Sequence, residues 1–251
     1  MNRSNHTFSR RRQNMQPENK QRRKRSFKSR LLIVFGVLCA AALTAHFAWK
    51  YSGSDQPELV IDKDGIKVYS IKSPGSSVLK IMATRRVPTT MDKAVSGMMD
   101  DSLENCADWN ANCFVSRAVD PWDPKTASYT QLWVQNVGTP FAPREYLLNT
   151  QLSKDPVTKV VVVQFKAAPD KLPPDDCCVR VRHMQSRWQF TPAGENQIDV
   201  KLLMDIDVEV PYFLFNMEVA DSVYATFEDL PRVFNAKRYE NARVEWLHSA
   251  E

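Results

Sequence analysis

The sequence predicts an α+β protein: a curved antiparallel β-sheet wrapped around a long C-terminal helix, plus one N-terminal transmembrane helix. Three observations carry this. Residues 31–49, LLIVFGVLCAAALTAHFAW, hold no formal charge apart from His46. From Ile198 to Val210 apolar residues occupy every second position (Ile198, Val200, Leu202, Met204, Ile206, Val208, Val210), the pattern of a strand with one buried and one wet face. After Pro211 the apolar spacing changes to three and four, the period of a helix.

The N-terminal elements follow from charge. Residues 1–30 carry eleven Lys/Arg and one acid, Glu18, whereas residues 51–251 carry 22 Lys/Arg against 28 acids, a net of −6. The molecule is thus a mildly acidic domain with a basic tail, and that tail is expected to be disordered because it has few apolar side chains and many charges. Nineteen helical residues span about 28 Å, close to the roughly 30 Å of a hydrocarbon core. RRKRSFKSR directly before them places residues 1–30 in the cytoplasm by the positive-inside rule, with Trp49 as an interfacial anchor. A cleaved signal peptide ending near Ala40-Ala41-Ala42 is the rival reading, but the basic region and the apolar run are long for one. Cys39 follows Leu38, which argues against a lipoprotein box. Topology and anionic headgroups account for the basic tail without nucleic acid.

Beyond the apolar run, residues 50–58 are expected to be a linker and 59–247 a single domain. IDKDGIKVYSIK contains the Asp64-Gly65 hairpin signal. VLKIMATRRVP ends a strand at Pro88, and Thr89 or Thr90 can cap a helix whose Met91, Val95, Met98 and Ser102 share one face, in a unit ending at Trp109. CFVSRAV, ASYTQLWVQNV, REYLLNTQL, TKVVVVQFKA and VRVRHMQSRWQF read as successive strands. The alternating strand that follows, at thirteen residues, would reach roughly 44 Å and must curl around something. Phe213, Met217, Ala220, Tyr224 and Phe227 form the stripe of the closing helix, and Pro231 should kink or break it. A curved sheet with a helix across its concave face encloses space for side chains or for a ligand.

Catalytic signatures are sparse. The seven glycines form no phosphate-binding loop and there is no Gly-x-Ser-x-Gly elbow. No cofactor and no metal is implied, since the cysteine spacings lack a paired C-x₂-C pattern. Cys106 and Cys113 are disulfide candidates around Trp109, with two unpaired thiols as the alternative; Cys177 and Cys178, being adjacent, are not expected to pair with each other. GTPFAPREYLL, residues 138–148, forces a turn and then a strand from Arg144, which pairs with an acid at the sheet edge or orients an amphipathic ligand.

DWNANCFVSRAV, the run to GTPFAPREYLL, RWQFTPAGENQIDVKLLMDIDVEVP and PYFLFNMEVADSVYATFEDLPRVF occur in the order found in START domains, the StAR-related lipid-transfer family. The resemblance covers about residues 60–240. It implies a helix-grip fold enclosing a tunnel for one lipid or sterol, gated by residues 211–235 and the proline-rich loop 169–178. In steroid-carrying members an acid thirteen residues before the Arg-acid-aromatic motif pairs with an arginine six after it. Gln131 and Thr150 stand at those positions here, both neutral and able to hydrogen-bond a hydroxyl or ester.

The reading that results is a non-enzymatic, single-pass, membrane-tethered lipid-binding domain on the periplasmic side of a bacterial inner membrane, tethered by residues 31–49. Its expected tunnel wall comprises Trp133, Tyr146, Leu148, Trp188, Leu202, Met204, Phe213, Met217 and Tyr224, with Gln131, Thr150 and Arg144 as polar members. The alternatives are an enzyme such as a cyclase or hydrolase on the same scaffold, using Glu145, His183 or Asp205, and a packed partner-binding domain without a hollow.

Overall fold

The computed structural model describes residues 27–249. Most of the tail expected to be disordered lies outside that range, but its last four residues belong to the first helix, α1 (Phe27–Tyr51). This helix starts four residues before the expected span and ends two after it. It is long and apolar enough to cross a membrane, with a mean hydropathy of 2.3 over its most apolar stretch, none of which is buried. The chain divides into two units, Met1–His46 and Phe47–Glu251, and the sheet lies in the second.

The sheet has ten strands: β1 (Pro57–Lys63), β2 (Ile66–Ile71), β3 (Lys80–Pro88), β4 (Cys113–Asp123), β5 (Ser128–Gln135), β6 (Arg144–Lys154), β7 (Val161–Ala167), β8 (Val179–Arg180), β9 (His183–Pro192) and β10 (Gln197–Asp207). Their order is β1-β2-β3-β10-β9-β7-β6-β5-β4, antiparallel throughout, with β8 pairing in parallel to β6. Asp64 and Gly65, both at positive φ (53° and 73°), make the two-residue turn between β1 and β2 that the Asp-Gly pair promised. Several expected strands are shorter than their sequence pattern, two of them at identifiable breaks. The stretch from Val179 splits at Val181-Arg182, and β10 stops at Asp207, where the Asp207 carboxylate accepts from the Glu209 amide at 2.9 Å and turns the chain.

Between β3 and β4 the expected helical unit divides into α2 (Met91–Met99), capped by Thr90, and α3 (Leu103–Trp109), capped by Ser102. Each cap hydroxyl accepts an otherwise unpaired amide of the first turn. The disulfide Cys106–Cys113 ties α3 to β4 with Cα atoms 5.9 Å apart. Cys177 and Cys178 are joined to each other, contrary to the expectation that adjacent cysteines would not pair.

The closing helix, α4 (Tyr212–Phe234), runs through Pro231 without breaking. A proline removes the amide that would bond the carbonyl four residues earlier, here that of Phe227. Arg85 of β3 donates to that carbonyl, and to Glu228 O at 2.8 Å, so the helix keeps its path. The C-terminal half of α4 packs solidly onto the sheet. Trp188 stacks on Phe227 with ring centroids 5.7 Å apart, and Trp109 stands edge-on to both Trp188 and Phe234 at 5.6 Å. Phe190, Phe227, Leu230 and Phe234 are fully buried around this plug.

The segment expected to be a linker is held to the domain. Lys72 donates to the carbonyls of Ser52 and Ser73 (3.0 Å each), Ser76 (2.7 Å) and Lys50 (3.3 Å), and lies 5.1 Å from the centre of the Trp49 ring. Burial pushes this ammonium below the ordinary lysine value, partly offset by Asp55. Gly53, at φ +101°, lies so close to the Lys72 carbonyl that a Cβ would collide with it. The Trp49 indole donates to Ser77 O at 2.8 Å, and that carbonyl also accepts from the Asn216 amide on α4 at 3.0 Å.

Candidate functional site: a hollow under the first half of α4

The N-terminal half of α4 stands off from the sheet where the aromatic plug ends. A hollow of about 580 Å³ lies there. Its floor is Trp133 and Tyr146, a cross-strand pair on β5 and β6, with Met184 of β9 and Met204 and Ile206 of β10. Its roof is Leu214, Phe215, Val219 and Val223 of α4, flanked by Glu218, Ser222 and Thr226. Val208 and Val210 close one side after the sheet has ended. The other side is the loop from Asn136 to Phe141, with Asn110 and Gln135 hydrogen-bonded to each other at 3.1 Å nearby. Burial raises the Tyr146 phenol to about 12, so it stays protonated at neutral pH.

Of the expected wall residues, Trp133, Tyr146 and Met204 line this hollow. Leu148, Leu202 and Trp188 do face the concave side, but they are buried in packed core. Phe213 and Met217 are 56 % and 69 % exposed, on the outer side of α4, and the Tyr224 hydroxyl donates to Asp64 at 2.8 Å near the β1–β2 turn. The first turns of α4 carry two apolar stripes, and the expected one is the outward stripe. Ile206 and Met184 follow from strand parity with Met204 and Trp188; nothing in the sequence marks Asn110 or Asn112.

Arg144 does not reach the hollow. Only 2 % exposed, it donates to the carbonyls of Ala142, Val208 and Glu209, the last at 3.0 Å. It therefore clamps the 136–143 loop to the turn between β10 and α4, and pairs with no acid. The acid beside it, Glu145, is buried on the opposite face and accepts from Arg180 at 2.6 Å. Arg180 also donates to the carbonyls of Pro169, Leu172 and Pro173. Loop 169–178, expected as a gate, is thus fastened across the outer face of β6, and the loop bordering the hollow is 136–141. His183 and Asp205 bond to each other at 2.8 Å on the exposed side of the sheet, away from the hollow.

Gln131 and Thr150 lie on the same face as Trp133 and Tyr146 but farther in: Gln131 opposes Leu148, and Thr150 opposes Tyr129. Both are fully buried. The Trp133 indole N–H meets no protein acceptor among the described residues, and the nearest polar neighbour of the Gln131 amide and the Thr150 hydroxyl is the Tyr129 phenol. The Tyr129 phenol beside them gives its proton to Met98 O at 2.6 Å. Burial holds this phenol well above its usual range, while hydrogen bonding with Thr150 and Gln131 opposes that rise. No group of three or more metal-ligating side chains occurs among the described residues.

No protein-family model and no curated protein matches the sequence. Solved structures do match. A STAR-related lipid transfer protein from Xanthomonas axonopodis (fragment 25–204) superposes with a TM-score of 0.65 at 21 % identity, over 72 % of this chain and 99 % of that one. The chain has the START fold. The lipid transfer and protein localization domain of human StarD13 (DLC2) superposes at 0.62 with 12 % identity, covering 81 % of this chain and 97 % of its own. Human StAR-related lipid transfer protein 5 does so at 0.60 with 11 % identity, covering 84 % and 99 %. Within the START fold this chain keeps the curved antiparallel sheet and the long closing helix, and precedes them with an apolar helix.

Proposed function

We propose that this protein binds one amphipathic lipid in the hollow beneath the first half of α4, and does so as a carrier tethered to a membrane by its N-terminal apolar helix. The observation that carries the reading is the hollow itself. Its volume of about 580 Å³ lies within the roughly 300–1,000 Å³ of small-molecule sites, and its walls are mostly aliphatic and aromatic. Burying an acyl chain against such walls contributes about 0.8 kcal/mol per methylene, enough to retain a lipid without a charged partner. The solved neighbours named for lipid transfer share the fold, which supports the same use here.

The tether fits this use. The Ser77 carbonyl holds both Trp49, at the end of the apolar helix, and Asn216, in the first turns of α4. The end of α4 that roofs the hollow therefore sits beside the point where the chain enters the domain. In this reading the basic tail is cytoplasmic and the domain periplasmic, and the protein performs no chemistry on its cargo.

A lipid with a photoactivatable group in its acyl chain tests the site. Irradiation of the full chain with this lipid, followed by peptide mass spectrometry, should label segments containing Met184, Met204–Val210 and Leu214–Thr226. Labelling confined to residues 27–51 would sink the assignment.

A further inference from the structure

We infer that the cargo is a lipid with an uncharged polyhydroxyl headgroup, such as a sugar, held at the mouth of the hollow by the side-chain amides of Asn110, Asn112, Gln135 and Asn136; this rests on the lipid-binding reading and names its ligand class. The four amides come from two segments, the turn between α3 and β4 and the end of β5 with the residue after it. These segments are fixed to each other. The Asn136 backbone amide donates to Asn112 O at 3.0 Å, Cys113 pairs with Gln135 across the strands, and the Cys106–Cys113 disulfide ties the turn to α3. The Asn110 side chain is held too: Nδ2 donates to Gln135 Oε1 at 3.1 Å and Oδ1 accepts from the Asn112 backbone amide at 2.9 Å. Gln135 Nε2 and the side-chain amides of Asn112 and Asn136 are then left over, with no protein partner among the described residues. Groups fixed in this way lose little freedom when a ligand arrives, so their hydrogen bonds count toward affinity.

The other bank of the mouth is α4, where Glu218 and Ser222 are exposed and one turn apart. The carboxylate accepts, the hydroxyl does either, and each amide both donates and accepts. Such a rim above an apolar floor matches a group whose several hydroxyls give and take hydrogen bonds next to hydrocarbon. The floor adds one donor, the Trp133 indole N–H, which lines the hollow and meets no acceptor among the described residues. Buried donors are nearly always paired, so the acceptor it needs comes from the occupant. Charge excludes the commoner headgroups. Glu218 is the single formally charged side chain of the lining, so the wall offers a phosphate no cation. A cationic headgroup would use Glu218 and leave the amides idle.

The experiment measures displacement of a fluorescent fatty acid from the delipidated full chain in a sugar-free detergent. Four probes share their acyl chains: monoglucosyl dioleoylglycerol, dioleoylglycerol, dioleoylphosphatidylglycerol and dioleoylphosphatidylcholine. Wild type should bind the glucosyl lipid about tenfold more tightly than any of the other three, and glucose alone should displace nothing. Asn112→Ala with Asn136→Ala removes two free side-chain amides and keeps the backbone bond between these residues. This double variant should keep the wild-type melting temperature, lose the glucosyl preference, and bind dioleoylglycerol within about twofold of wild type. Asn136→Ala alone should lose part of the preference in the same direction. Tighter binding of either phospholipid would overturn the inference and leave the carrier reading standing. So would equal affinity for glucosyl and plain dioleoylglycerol, a preference undiminished in the double variant, or displacement by glucose alone, which would mark a site for soluble sugar. Failure of every lipid to bind would overturn both.

Discussion

Replacing Arg144 with methionine isolates the clamp that holds the 136–143 loop against the sheet's end. Methionine keeps most of the aliphatic stem and removes a guanidinium that makes three hydrogen bonds to backbone carbonyls. A hydrogen bond from a charged donor contributes about 1.5–3 kcal/mol, so three contribute roughly 4–9 kcal/mol gross. Against this stands the cost of keeping a guanidinium at 2 % exposure, which is several kcal/mol and disappears with the charge. The freed carbonyls of Ala142 and Glu209 belong to exposed residues and can be rehydrated. The net expected loss is about 2–4 kcal/mol. Urea denaturation of the full chain in detergent reads it directly, and Arg144→Lys should recover part of the loss. Because the clamp joins the loop to the entry of α4, amide exchange should also quicken over residues 136–142, and bound lipid should leave faster. A variant within 0.5 kcal/mol of wild type, with unchanged exchange, would show that the clamp carries no load.

Other perturbations reach separate parts of the molecule. Gly53→Ala should destabilise the domain by about 2 kcal/mol or more in thermal melts, because φ is positive there and the Lys72 carbonyl blocks a Cβ; an ordinary linker would tolerate it. Converting Cys106 and Cys113 together to alanine should cost about 2–3 kcal/mol in urea titrations, from the loop entropy of a seven-residue separation. Acid stability should follow the carboxylates. Hydrogen bonds from Tyr239 and Ser102 hold Asp100 below its ordinary value against the opposing effect of burial, those from Arg238 and Arg232 do the same for Asp108, and that from Arg86 lowers Asp199. Groups depressed in the folded state stabilise fully above their unfolded value, about 3.9, and lose that contribution as pH falls through the lower folded value. Melts between pH 8 and 2 should therefore decline most steeply below pH 4, and a main decline above pH 5 would contradict this.

Much of the fold was legible because its signals are one-dimensional. Alternation from Ile198 gives one face of β10, Asp64-Gly65 gives a hairpin, and an uncharged run flanked by basic residues gives the first helix. Which inward residues surround space was less legible. Parity turned Trp188 and Leu202 inward correctly, but whether they meet a ligand depends on the Phe227, Phe234 and Trp109 that α4 and α3 bring against them. On α4 itself, Phe213 and Met217 compete with Phe215, Val219 and Val223, and periodicity alone does not choose between two apolar stripes. The sequence offers Arg144 an acid or an amphipathic ligand, whereas its partners are carbonyls, one of them on a turn sixty-five residues away at Glu209. That Gln131 and Thr150 meet the Tyr129 phenol in the interior is a property of three dimensions only.

In the proposed function one lipid occupies the hollow. Native mass spectrometry of the full chain, released from detergent after delipidation and incubation with vesicles of mixed natural lipids, measures this directly. One lipid-sized mass addition per chain is expected, reduced in Val223→Trp, whose indole would narrow the space beneath α4. Repeated failure to see any addition would contradict the account, as would an addition that persists undiminished in Val223→Trp.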